Sequence, residues 1–357
     1  MRKLLVWGVI VLVVAAMGVW GYLWLTQIPT NVAYVTEEDG GISVMDLNRL
    51  AVVKHVHPND VAPRGLGLTF DGRYLVTANK NSADMTVFDT RGLRLDLLRR
   101  IAVGDNPEFI KMFPTGRWLF TSFEPGSSGG PPPEIAVGEE QEDENEKPSE
   151  IVSFNVQDWS RGTVFTAGKE TEGLEFSADG TLLIVANEAQ NNIGIFHTDT
   201  GQLVKSVDLA MYGKRPRGLK RSPAGNSYAV TMEGSGTLLL LDSDFHVTKT
   251  TMTAAKPYGV AFDRSGKRIF VAAAAARTLQ VYAADSLQLV AEAPIGQRCW
   301  HFTFTPDDSK LLLACGRSNN VYVIDANSYR PITVIGGFQT PWGILTYPRA
   351  FGSLGLP

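Results

Sequence analysis

Pro63-Arg64-Gly65-Leu66-Gly67-Leu68-Thr69-Phe70-Asp71-Gly72 opens a phrase that recurs along the chain. An alternating apolar stretch leads to an Asp-Gly turn, and a second apolar strand follows, Leu75-Val76-Thr77-Ala78-Asn79. Good copies begin at Pro216, Pro257 and Pro341, and degenerate ones at Pro107, Thr171 and Cys299. The steps between starts are 44, 64, 45, 41, 42 and 42 residues, so one block carries an insertion. A period of roughly 40–50 residues with four short strands per repeat describes a β-propeller blade. The expected fold is all-β, a seven-bladed propeller spanning 32–347.

The chain has 357 residues, 44% of them hydrophobic and 20% charged, with 35 Gly and 19 Pro. That composition suits many short strands joined by tight turns. A net charge of -4 gives no footing for nucleic acid. Within 124–150 nine acidic residues face one Lys, leaving the remainder near +4. This stretch is poor in apolar residues and opens Pro125-Gly126-Ser127, a composition that predicts disorder. Because it follows the second strand of its blade, it is expected beside the channel mouth, as a movable anionic lid or a solvated spacer.

The first residues predict a membrane anchor. Residues 1–3 form a basic cytoplasmic tip, and Leu4 to Leu25 is an uncharged run. Twenty-two helical residues would span roughly 33 Å, enough to cross a bilayer. Trp20, Tyr22 and Trp24 suit an aromatic belt. A cleaved signal peptide, with Val14-Ala15-Ala16 as the processing site, is the alternative. The expectation is therefore one N-terminal transmembrane helix (4–25), a linker (26–31), an extracytoplasmic propeller and a tail (348–357). Val32-Ala33-Tyr34-Val35-Thr36 reads as a second strand whose partner is Gly343 to Tyr347, so the two ends should close the ring in one blade.

Tyr34-Val35-Thr36, Leu75-Val76-Thr77-Ala78-Asn79 and Ile184-Val185-Ala186-Asn187 resemble the Tyr-Val-Thr-Asn repeat of the YVTN-type β-propellers, a group related to the cytochrome d1 and quinoprotein-like propellers. The likeness runs from Val32 to Tyr347. It implies the fold, and it leaves function open among scaffolds, lactonase-like enzymes and haem-binding propellers.

The innermost strand of each blade starts at the mouth of the central channel. The residue inside each Pro-x-Gly phrase should therefore line that mouth: Arg64, Glu108, Glu172, Arg217, Tyr258, Trp300 and Trp342, with Arg215, Lys256, Arg298 and His301 nearby. Arginine forks and aromatic faces suit a small anionic or planar ligand. Mutual pairing that closes the channel is the competing reading. If the protein is an enzyme, Glu172, Arg217 and His301 are the expected catalytic set. His301 would also suit an axial haem ligand, but no second His matches it.

His55 and His57 share a strand face near Asp60, too little for a metal site, and none is expected. Cys299 and Cys315 fall opposite each other if Pro306-Asp307-Asp308 is a three-residue turn, which allows a disulfide; a two-residue turn would point them to opposite faces. No Cys-x-x-Cys-His, nucleophile elbow, phosphate loop or zinc pattern occurs, so no cofactor is expected. The expectation is a membrane-tethered, non-catalytic binding protein with a periplasmic or membrane protein partner. A lactonase-like hydrolase is the first alternative and a haem- or quinone-related redox accessory the second.

Overall fold

A computed structural model describes residues 26–58, 61–126 and 147–356. Seven four-stranded antiparallel sheets surround one axis, as the repeat predicts. Six blades are continuous in sequence, and their innermost strands are Pro63–Leu68, Pro107–Met112, Thr171–Phe176, Pro216–Arg221, Pro257–Phe262 and Cys299–Phe304. The remaining blade takes its innermost strand, Pro341–Tyr347, from the far end of the chain and pairs it with Val32–Glu37. The two ends thus close the ring as expected, with neither edge of that junction bare. The acidic insertion separates Trp118–Phe123 from Glu150–Asn155, second and third strands of one blade. Most of it lies outside the described residues.

The glycine of the phrase has a packing reason. A Cβ on Gly65 would lie 2.2 Å from the carbonyl oxygen of Glu108 in the next blade. Gly173, Gly218, Gly259 and Gly343 face the carbonyls of Arg217, Tyr258, Trp300 and Arg64 in the same way. Innermost strands therefore approach so closely that a side chain cannot stand between them. The residue before each phrase is left-handed in all seven blades: Ala62, Asn106, Glu170, Arg215, Lys256, Arg298 and Thr340 have φ of 45–60°.

In two blades a threonine near the end of the second strand completes the junction. Thr36 Oγ1 accepts from the Gly343 amide and donates to the Arg64 carbonyl of the next blade. Thr231 repeats this, accepting from Gly218 (2.8 Å) and donating to Tyr258 O (2.7 Å). The buried hydroxyl satisfies backbone groups that the bulge in the ladder leaves over. Between blades, apolar residues from both sheet faces pack together, including Ala261, Phe270, Phe302 and Leu313.

Two expectations need correction here. The anchor Leu4 to Leu25 lies outside the described residues, and among the described residues no helix is long and apolar enough to cross a membrane. The described chain is built of strands five to seven residues long. A single-pass membrane protein with an extracytoplasmic propeller is therefore not what the structure supports. The cysteine pairing holds, through a different register. Cys299 and Cys315 are joined. Yet Thr305 N donates to Lys310 O, so the turn has four residues, and a bulge between Cys299 and His301 brings the cysteines back opposite each other.

Candidate functional site

All seven mouth residues converge where the phrase places them, but they are buried rather than lining an open mouth. Arg64 donates to Glu38 Oε1 (2.8 Å) and Glu108 Oε1 (3.0 Å). Arg217 reaches Glu172 (2.7 Å), Glu188 (2.8 Å) and Glu233 (2.7 Å), and Arg215 pairs with Glu188 and Glu170. The forks expected to receive an anion are thus held by carboxylates of the same chain. Tyr258 lies under the Arg217 guanidinium, 4.0 Å from its carbon, and Arg298 covers Trp300 at 4.8 Å. Trp342 packs on His301 with ring centroids 4.4 Å apart. Lys256 stands 3.8 Å from Glu233 at the rim.

Glu38, Glu188 and Glu233 escaped the sequence reading, although the repeat encodes them. Each immediately follows the residue that pairs with the start of the innermost strand, as do Lys80 and Glu124 in two other blades. A second ring of charge therefore lies over the first. Asn106 bridges the two layers, donating to Glu124 (2.6 Å).

Beneath these rings lies a small cavity lined by Phe109, Lys111, Glu172, Arg217, Tyr258 and His301, with Ser353 and Leu354 across it. Phe109 and His301 occupy the third position of the phrase, where the other five blades have glycine. Three atoms on this lining, all inaccessible to solvent, have no hydrogen-bond partner: Glu172 Oε2, Arg217 Nε and His301 Nε2. Each such atom costs about 1–3 kcal/mol when left unserved, a cost that water or a bound ligand would offset. His301 Nδ1 meets Ser353 Oγ at 3.2 Å, which orients the ring.

Burial governs the ionisation states. It pushes the Glu172 carboxyl well above the usual carboxylate range, against the pull of Arg217. Burial likewise raises Glu188 to about 8. It holds His301 down to about 3, with Arg217 adding to the effect. The cavity thus pairs a neutral imidazole with a carboxyl disposed to keep its proton, two groups whose environments separate acid from base.

Elsewhere, His55 and His57 stack with centroids 6.0 Å apart, and His55 Nδ1 contacts Ser43 Oγ (2.7 Å). Asp60 lies outside the described residues. Asp242, Asp244 and His246 cluster on a turn with little cover.

Residues 145–257 match the family model described as "Lactonase, 7-bladed beta-propeller". That stretch contains Glu172, Glu188, Arg217 and Glu233 but not His301. No curated protein matches the chain. Among solved structures, a functionally unknown protein from Desulfotomaculum acetoxidans is 14% identical, with a TM-score of 0.74 over 88% of this chain and 98% of that one. The periplasmic gluconolactonase of Pseudomonas aeruginosa is 16% identical, TM-score 0.69, over 90% and 99%. Dihydro-heme d1 dehydrogenase in complex with DHE is 15% identical, TM-score 0.64, over 90% and 77%. At these identities the structural likenesses establish the fold alone. The family match, on the blades that carry Glu172 and Arg217, overturns the expected non-catalytic scaffold in favour of the hydrolase alternative.

Proposed function

We propose that the protein hydrolyses a lactone in the cavity beneath the charged rings. The observation that carries this reading is the set of three unpartnered atoms on Glu172, Arg217 and His301, one acid, one fixed cation and one neutral base on a single lining. With its Nδ1 proton directed at Ser353, His301 presents the Nε2 lone pair to water. The water proton passes to Nε2 as its oxygen attacks the lactone carbonyl. Arg217 Nε donates to the carbonyl oxygen as negative charge develops there. The ester C–O bond then breaks, and Glu172 returns a proton to the departing alkoxide. The products are a hydroxy acid and the regenerated cluster once His301 passes its proton back.

The substrate carries no phosphate in this reading, because each guanidinium of the cluster already faces two or more carboxylates. A phosphate dianion would meet those carboxylates before any free fork. A neutral sugar lactone, of the kind the Pseudomonas enzyme's name indicates, fits this charge balance. The repeats themselves are read as YVTN-type, since Thr36 and Thr231 give that phrase a common role at blade junctions.

Proton release on adding glucono-δ-lactone and simple γ- and δ-lactones tests the proposal. Glu172→Gln and His301→Gln should each lower kcat/KM by about 10²–10⁴. Hydrolysis no faster in the wild type than in Glu172→Gln, across the panel, rejects it.

A further inference from the structure

The cavity has room for little more than water, far less than a sugar lactone occupies. A ligand enters only if a wall moves. On one side stand the two charged rings, whose members are rooted in several sheets. On the other side the wall is a single stretch of chain. After Tyr347 the backbone turns back beneath the ring and runs antiparallel to the innermost strand of the last continuous blade, where Gly352 bridges to Thr303.

That stretch is held by a short series of bonds. Phe304 N donates to Phe351 O (2.8 Å), Ser353 N to Phe302 O (2.9 Å), and Thr303 Oγ1 to Phe351 O (3.2 Å). Leu354 lines the cavity, and the Gly355 carbonyl accepts from Lys220 Nζ at 2.8 Å. Lys220 is fully buried with Lys111 and Glu175, Lys111 bonding Glu175 at 2.9 Å and Lys220 standing 3.4 Å from it. The stretch belongs to no four-stranded sheet, and its close fit depends on Gly352, whose Cβ would lie 2.7 Å from Phe302 O. Further bonds join Ser353 Oγ to the Phe302 amide and carbonyl, yet Ser353 and Leu354 are the lining residues of the cavity that belong to no blade strand.

We propose that Ala350–Leu356 is an autoinhibitory gate, seated in the channel at rest and displaced to admit substrate from the face opposite the charged rings. The purpose rests on the lactone-hydrolase reading; the motion does not. When the segment leaves, the carbonyl that engages Lys220 leaves with it, and the amine becomes reachable from solvent. At rest, burial and the nearby Lys111 hold Lys220 well below the usual lysine range, so access rather than protonation limits its reaction.

Hydrogen exchange on the full chain tests the motion directly. The amides of Phe304 and Ser353 should exchange at least about a hundredfold faster than those of Leu312 and Leu313 in the adjacent ladder. Equal protection of all four overturns the gate. A second measurement follows acetylation of Lys220 by acetic anhydride, normalised to exposed Lys267 in the same sample. Leu354→Asp should raise Lys220 labelling about tenfold or more relative to wild type, since it puts a charge on the apolar contact that seats the segment. Unchanged labelling in a variant that keeps native circular dichroism also overturns it; should that variant not fold, the exchange result decides. Fast exchange with no lactone hydrolysis would remove the proposed reaction and leave the gate standing.

Discussion

Phe109 and His301 stand edge to face, ring centroids 5.8 Å apart and planes at 88°, at the two places where the repeated phrase lacks its glycine. In five blades that position is emptied so that neighbouring backbones can meet. In these two blades a ring is spent there instead, and both rings turn into the same cavity. The site is thus written as an exception to the rule that builds the ring.

Restoring bulk where the rule holds should be costly. Gly218→Ala places a Cβ 2.2 Å from Tyr258 O and 2.6 Å from Thr231 Oγ1. The backbone must yield, and overpacking of this kind costs roughly 1–3 kcal/mol. Urea unfolding of Gly218→Ala and of Gly336→Ala, which meets nothing within 4 Å, should separate the two clearly. Similar midpoints would refute the packing account.

Removing the cation at the centre of the cluster leaves three carboxylates without their shared partner. Arg217→Met should therefore destabilise the protein by about 3–5 kcal/mol, the penalty for uncompensated buried charge. Because burial already disposes Glu172 and Glu188 toward the protonated form, with Glu188 at about 8, the loss should be greatest above about pH 8 and part of it should return as pH falls through that value. A loss under about 1 kcal/mol at neutral pH would place the pairs among weak surface contacts instead.

The pH dependence of His301 has a definite sign. Its folded pKa, near 3, lies below the value of about 6.5 for an unperturbed imidazole. As pH falls the unfolded chain binds a proton first, so the stability tied to the neutral ring is complete above about pH 6.5 and drains away toward pH 3. Between about pH 7 and pH 5 the wild type should lose roughly 2 kcal/mol more than His301→Gln, by urea titration. Parallel losses would mean the ring is hydrated and titrates normally.

The disulfide closes a loop with a sequence separation of 16 residues. A crosslink of that span contributes about 3 kcal/mol in the chain-entropy account. The Cys299→Ala/Cys315→Ala protein should unfold at correspondingly lower urea, and the denatured, unreduced wild type should show no free thiol. Two titratable thiols would dispose of the bond.

Much of this molecule is legible in its sequence because one physical constraint repeats. Backbone crowding at the axis demands glycine beside Arg64, Glu172, Arg217, Tyr258 and Trp342, and the period exposes the blades and the join between Val32–Glu37 and Pro341–Tyr347. The phrase also marks which residue of each innermost strand turns toward its neighbours at the axis, for the same reason. Mutual pairing that closes the channel was open to a reading of the sequence, but three of the partners were not: Glu38, Glu188 and Glu233 sit past the strands and look like ordinary loop acids. The lower wall was hidden too: Ala350–Leu356 has no motif, and only the fold brings Gly355 to Lys220 across 135 positions. The cysteine register shows a right pairing reached through a wrong turn, since a bulge near an inner strand cannot be counted from spacing.

The join between Val32–Glu37 and Pro341–Tyr347 has a further consequence for how the protein is made. The sheet that begins with Val32–Glu37 lacks the strand that finishes it until Pro341–Tyr347 has been made. Throughout that interval its unmet edge is open to any passing strand, including one from a neighbouring nascent copy. Chains cut short anywhere before Pro341 should accordingly be sticky and short-lived, whether the break comes soon after Glu37 or only just ahead of Pro341.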